Sequence, residues 1–274
     1  MIMKRICVLL TCHNRKEKTL RCVQSLTAKN AKLNFSFVIV DDGSTDGTKE
    51  ALQSLENIDI AIINGDGNLF YSGGMRKAIE YAKNNSCQYD YYMLANDDVD
   101  FYDNTIEKMT ELADNRIVVG VTDDGNRKMT YGGVQSRSKF RPSFHKVMST
   151  ETELVKCDTF NANCVVIPSA IFNALDNIDN FYVHGFGDYD YGLMASKKGY
   201  TIIATPFFVG MCKNNPIKGS WKDKSLSLKE RKKAKEKING SPSKVWYYFT
   251  KKHFGFFSAI AVVAYQYIGM VFKK

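Results

Sequence analysis

Apolar and polar positions in the first 120 residues follow two alternating periods. Short continuous apolar runs near residues 6 to 12, 35 to 41, 58 to 64, 90 to 95 and 117 to 121 read as buried strands. The stretches near 15 to 28, 46 to 56, 73 to 84 and 103 to 114 read as helices, and this α/β alternation predicts a mostly parallel sheet with helices on both faces. Residues 122 to 152 break the rhythm with turn signals at Asp124-Gly125-Asn126 and Tyr131-Gly132-Gly133, and predict an excursion of one or two short antiparallel strands. Apolar character returns at Asn163-Cys164-Val165-Val166-Ile167, before a helix opening at Pro168 or Ser169. A loop from His184 then leads into a helix ending at Lys197-Lys198-Gly199, with Asp188 at or near its start, and into the strand Thr201 to Ala204. Past Lys213 the pattern predicts a lysine-rich helix over 222 to 238, a break at Gly240-Ser241-Pro242, and a final helix from 243 to about 272.

Charge changes this picture at the carboxyl end. Residues 218 to 274 hold 14 Lys or Arg against 3 Asp or Glu, so the net +9 of the whole chain comes from this tail. Phe254 to Phe272 carries no charge and is bracketed by Lys251-Lys252 and Lys273-Lys274. A spanning helix needs about 20 apolar residues. Tyr265-Gln266-Tyr267 weakens the run, and aromatics beside lysines favour a helix lying in a membrane interface; a spanning helix and a helix packed on the domain are the alternatives. No RNA- or DNA-binding module accompanies the basic stretch, so nucleic acid is not expected as a partner. The 7 cysteines are scattered with no Cys-x-x-Cys pair, which points to a reducing cytoplasm. The apolar stretch after Met1 to Arg5 is too short for a signal peptide and reads as a first strand.

Chemistry concentrates at strand ends. Asp41-Asp42 closes Phe37-Val38-Ile39-Val40, and Asn96-Asp97-Asp98 follows Tyr91-Tyr92-Met93-Leu94-Ala95. Ligands of open α/β sheets bind beyond the carboxyl ends of strands, so both acid pairs belong on one rim. Carboxylates crowded there repel one another unless a cation or a ligand rich in donors answers them.

Leu10-Thr11-Cys12-His13-Asn14-Arg15, Asp41-Asp42-Gly43-Ser44, Gly67-Asn68 with Gly73-Gly74, Asn96-Asp97-Asp98 and Gly187-Asp188-x-Asp190 occur in that order. Together, over about residues 5 to 212, they resemble a family 2 glycosyltransferase of the GT-A fold, with bacterial surface-glycan enzymes as the type. The resemblance implies a base-stacking role for His13, with Thr11 beside it, and a nucleobase-accepting carboxylate at Asp41. It implies Asp97 on ribose or sugar hydroxyls, Asp98 on Mg²⁺ or Mn²⁺, and Gly74 with Arg76 near phosphate or sugar oxygens. Asp188 takes the place of the general base, and Asp190 either binds acceptor hydroxyls or stabilises its helix. Bland readings stand beside these: a surface histidine, acids that shape turns and caps, a glycine turn that only packs, and Asp188 as a helix N-cap.

The chain departs from the family pattern. Gly187 stands for the usual Glu, Met194 for the usual Arg, and Cys212-Lys213-Asn214-Asn215 where many relatives place a metal-binding His, so the third metal ligand has no candidate. The reading is a non-processive, metal-dependent, inverting hexosyl-type transferase over 1 to 217, with a basic membrane-associating tail over 218 to 274. It moves a sugar from a UDP- or dTDP-sugar to a saccharide acceptor, lipid-linked and destined for surface polysaccharide, at the inner face of the membrane. The competing class is a catalytically silent nucleotide-sugar binding protein.

Overall fold

The computed structural model describes residues 3–272, with backbone alone at 271 and 272. Lys273-Lys274 of the expected lysine bracket lie outside the described residues. Strand and helix alternate through β1 (Lys4–Cys12), α1 (Lys16–Lys29), β2 (Leu33–Asp41), α2 (Thr48–Gln53), β3 (Asp59–Asn64), α3 (Phe70–Asn84) and β4 (Tyr91–Ala95). The chain continues with β5 (Asp100–Phe101), α4 (Thr105–Leu112), β6 (Ile117–Asp123), β7 (Gly133–Ser136), β8 (Phe144–Val147), β9 (Lys156–Cys157) and β10 (Thr159–Phe160). It ends with β11 (Cys164–Pro168), α5 (Ser169–Ala174), α6 (Gly187–Lys197), β12 (Ile202–Met211), α7 (Leu228–Glu236), α8 (Ser243–Phe254) and α9 (Phe256–Phe272).

The large sheet has the order β3-β2-β1-β4-β11-β6-β12-β5, with β9 also on β12. β3, β2, β1 and β4 run parallel, and β11 runs antiparallel between β4 and β6. Side chains alternate across it. Ile6, Val8, Leu10, Phe37, Ile39 and Met93 pack with Val23 and Leu26 of α1 and Met109 of α4 on one face. Cys7, Leu9, Val38, Val40 and Leu94 pack with Met75 and Ile79 of α3, Phe172 of α5 and Tyr191 of α6 on the other. Apolar surface is removed from water on both sides, which is why these strands read as unbroken apolar runs.

Parallel register sets the rim. Cys12 pairs with Asp41 and Leu9 with Leu94, so β1, β2 and β4 all end at the same edge, and the acids that follow β2 and β4 meet there. The excursion over 122 to 152 contributes β7 and β8, which with β10 form a small second sheet. α6 rests on β10, and Gly192 permits the approach: a Cβ there would fall 2.3 Å from Thr159 Oγ1 and 2.9 Å from Thr159 Cα.

The structure revises the carboxyl-terminal expectations. The lysine-rich helix is α7, which begins later because Ser227 and Glu230 form a reciprocal capping box. The single final helix is two helices, separated at Gly255 with φ +92. β12 extends well beyond Ala204, through register shifts on either side of Phe208. We expect Gly192→Ala to lower stability by about 1–3 kcal/mol through overpacking, measured by urea denaturation.

Candidate active site

A cleft of about 350 Å³ opens along the rim, lined by Thr11, His13, Arg15, Asp42, Asn96, Asp97, Asn161, His184 and Asp188 among others. Residues from the ends of β1, β2 and β4 and from the start of α6 are thereby brought to one cavity. His13 Nδ1 lies 2.6 Å from the Asp42 carbonyl, and its Nε2 lies 3.2 Å from Asn14 Nδ2. The carbonyl accepts only, so Nδ1 carries the proton and Nε2 accepts from the amide. Thr11 Oγ1 donates to the Val40 carbonyl.

Arg15 is the cation that lines the cleft. Its guanidinium reaches Asp97 at 2.9 Å and Asp98 at 2.5 Å, a fork bridging both carboxylates. Asp97 is 3% exposed, and burial outweighs Arg15 and pushes its carboxyl up to about 6. Asp98 turns away from the cleft into an adjacent depression with Lys18, Arg21 and Lys213, where Cys212 Sγ lies 3.4 Å from Oδ1. Among the described residues no three His, Cys, Asp or Glu side chains converge as a closed metal cage.

Asp188 lines the same cleft as Arg15 and Asp97. It is the second residue of α6, and the cap position belongs to Phe186, so it is not an N-cap. Its oxygens accept from the amides of Tyr189 at 2.9 Å and Ala162 at 3.4 Å. Those bonds and the helix amino terminus favour the charged form. Burial wins, pushing the carboxyl up to about 6. Asn96 Oδ1, Asn161 Oδ1 and His184 Nδ1, all on residues lining the same cavity, are buried without a hydrogen-bond partner. Burial also pushes the His184 imidazole below its ordinary value.

Besides Asp98, four sequence candidates lie outside the cleft lining. Asp41 does not line the cleft; its Oδ1 accepts from the Ser44 amide and shapes the turn. Its neighbour Asp42 lines the cleft and takes the amides of Gly67, Leu69 and Phe70. Gly74 is buried against β1, where a Cβ would come 2.2 Å from Thr11 Oγ1, so its freedom serves packing. Arg76 donates to the carbonyls of Ile178, Asp179 and Tyr182 and braces that loop. Asp190 is 2% exposed and is held by His253, Lys252 and Tyr182. The departures from the family pattern also have locations. A side chain at Gly187 would collide with Ser72, with Cβ 2.4 Å from its Oγ, and Met194 lines a separate surface pocket beside Asp190. Sequence reasoning gave no role to Arg15, Asn161 or His184; the available signal for Arg15 was its place in the first motif.

Residues 7–173 match glycosyl transferase family 2. The chain belongs to this family. Solved glycosyltransferase structures share its fold. The mannosyltransferase PcManGT of Pyrobaculum calidifontis, in complex with GDP-Man and Mn²⁺, aligns with TM-score 0.58 at 14% identity, over 80% of this chain and 59% of its own. GalNAc-T7 with UDP, GalNAc and Mn²⁺ gives 0.60 at 16%, over 92% and 50%. S. aureus TarS 1-349 gives 0.55 at 14%, over 76% and 59%. The chain thus spans about half to three-fifths of these proteins. No curated protein sequence matches it.

The raised carboxyl of this family 2 site has a stability consequence. Folded Asp188 keeps its proton up to about 6, whereas the ordinary value is 3.8. The folded state binds more protons between those limits, so this group's contribution is full below the lower value and lost as pH rises through the upper. Asp188→Asn removes that loss and is expected to gain about 1–3 kcal/mol over the wild type at pH 7, and nothing near pH 3. Urea denaturation at the two pH values measures it.

Proposed function

We propose that this chain is a non-processive, inverting glycosyltransferase that moves one hexosyl unit from a UDP- or dTDP-sugar to a saccharide acceptor. One observation carries the reading: Asp188, a carboxylate with no cationic partner among the described residues, lines the same cavity as the Arg15–Asp97 pair. A base raised toward neutrality removes a hydroxyl proton more effectively than an ordinary carboxylate does. Asp188 takes the proton of the acceptor hydroxyl as that oxygen attacks the anomeric carbon opposite the departing diphosphate. The unpartnered Asn96, Asn161 and His184 atoms suit a ligand dense in hydroxyl groups, because each buried polar atom is costly until paired. In this reading His13 and Thr11 take the base and ribose and Asp97 takes sugar hydroxyls; that all three line the cavity supports it.

The donor set fits a hard divalent cation, Mg²⁺ or Mn²⁺, that completes its shell with phosphate oxygens. Asp98 would hold it beside Asp97 once Arg15 releases the carboxylate. Such a cation neutralises a diphosphate leaving group. Mn²⁺ in the complexes of PcManGT and GalNAc-T7 supports this assignment.

A lipid-linked surface-glycan precursor as acceptor accounts for the tail, and places the enzyme peripherally on the inner membrane face. α9 exposes Phe256, Phe257, Ile260, Tyr265 and Ile268, an uncharged apolar stripe next to a chain segment rich in lysine. No helix among the described residues is long and apolar enough to cross a membrane.

With a screen of UDP- and dTDP-sugars supplying the donor, Asp188→Asn should lower kcat by about 10²–10⁴-fold. UDP affinity, read by titration with Mn²⁺, should stay intact; a wild type that binds UDP and never transfers would show the silent binder instead. The full chain should sediment with phosphatidylglycerol vesicles and not with phosphatidylcholine vesicles. A Phe257→Glu, Ile260→Glu pair should abolish that sedimentation, and its persistence would remove the membrane assignment.

A further inference from the structure

We propose that α8 is a brace for the loop that carries the base, which makes residues of the basic tail positioning residues for the transfer reaction. This rests on the reading of Asp188 above, and its mechanical half stands apart from it. Phe186 precedes α6 with φ +70, a left-handed conformation costly for a bulky side chain. Such backbone persists only where the surroundings hold it. Here they come from the tail. Trp246 packs edge-on against the Phe186 ring at 4.6 Å, and Phe249, fully buried, lies at 4.5 Å.

The same helix grips the chain on both sides of that residue. Two positions beyond Asp188, the buried Asp190 takes His253 Nε2 at 2.7 Å and Lys252 Nζ at 2.9 Å. Before it, Tyr248 stacks on Phe181 at 3.8 Å and donates to Asp179, which Lys252 also reaches, each at 2.8 Å. From the opposite side α3 holds the loop by its backbone. Arg76 donates to three of its carbonyls, the amides of Ser72 and Gly73 donate to the Val183 carbonyl, and Ser72 Oγ donates to that of His184. Residues 178–190 are thus clamped between the sheet domain and the tail.

The Asp188 carboxylate itself takes the amides of Ala162 and Tyr189 and no group of α8. Nor do Trp246, Phe249 or His253 line the cleft. They fix where the base stands without touching what it acts on. Such placement matters because small displacements of a reacting group cost large factors in rate.

The test uses the full chain and its Trp246→Ala, Trp246→Phe and His253→Gln variants. Amide hydrogen exchange over residues 181–192 should rise by about tenfold or more in Trp246→Ala, while β1 and β4 stay protected. Turnover should show kcat lower by about 10–100-fold, with donor KM and UDP affinity in Mn²⁺ changed by no more than about twofold. Trp246→Phe should restore both, and His253→Gln should give the same pattern more weakly. Unchanged exchange at 181–192, a rise spread equally over β1 and β4, or a raised KM at constant kcat overturns the brace. If Asp188→Asn keeps full turnover, the base assignment fails instead, and the exchange comparison still decides the brace.

Discussion

Desolvating a carboxylate is expensive, and the architecture around the cleft is a set of answers to that cost. Asp42 is met by three backbone amides, Asp97 by the guanidinium of Arg15, and Asp190 by a lysine, a histidine and a tyrosine. Asp188, half-buried in the cleft wall, receives two backbone amides and no cation. Desolvated without a counter-charge, its carboxyl holds its proton more tightly, a property that functional sites use.

The sheet makes the arrangement inevitable once its register is set. Because β1, β2 and β4 run parallel and end together, acids placed after any of them share one edge. Thus the fold, the rim and the placing of Asp42 and Asp97 on it follow from apolar runs and the residues that terminate them, all of which are local patterns. Period-two packing also explains why the central strands announce themselves so clearly, since both faces are covered.

What local patterns hide is partnership across distance. Asp190 and Lys252 are 62 positions apart, and Arg15 and Asp98 are 83 apart. No periodicity encodes such pairs, so Asp190 looked like a ligand and Arg15 like a bystander. The choice between Asp41 and Asp42 failed for a related reason: adjacent residues on a strand end point to opposite sides, and only the path of residues 65–70 decides which one faces the cleft. Gly187 and Gly74 look like departures or phosphate cradles in one dimension, and become sites of close approach between α3 and its neighbours in three. The corner at Gly255 was legible as a glycine but not as a bend, because the apolar run continues straight through it.

The Arg15 fork has one more implication. With a built-in positive group already balancing Asp97 and Asp98, the acids do not require an external ion to be tolerated in the folded chain. Folding of the polypeptide is then independent of any metal. On the metal assignment proposed above, a chain lacking the ion would stay intact and idle, and would not add to a pool of misfolded material.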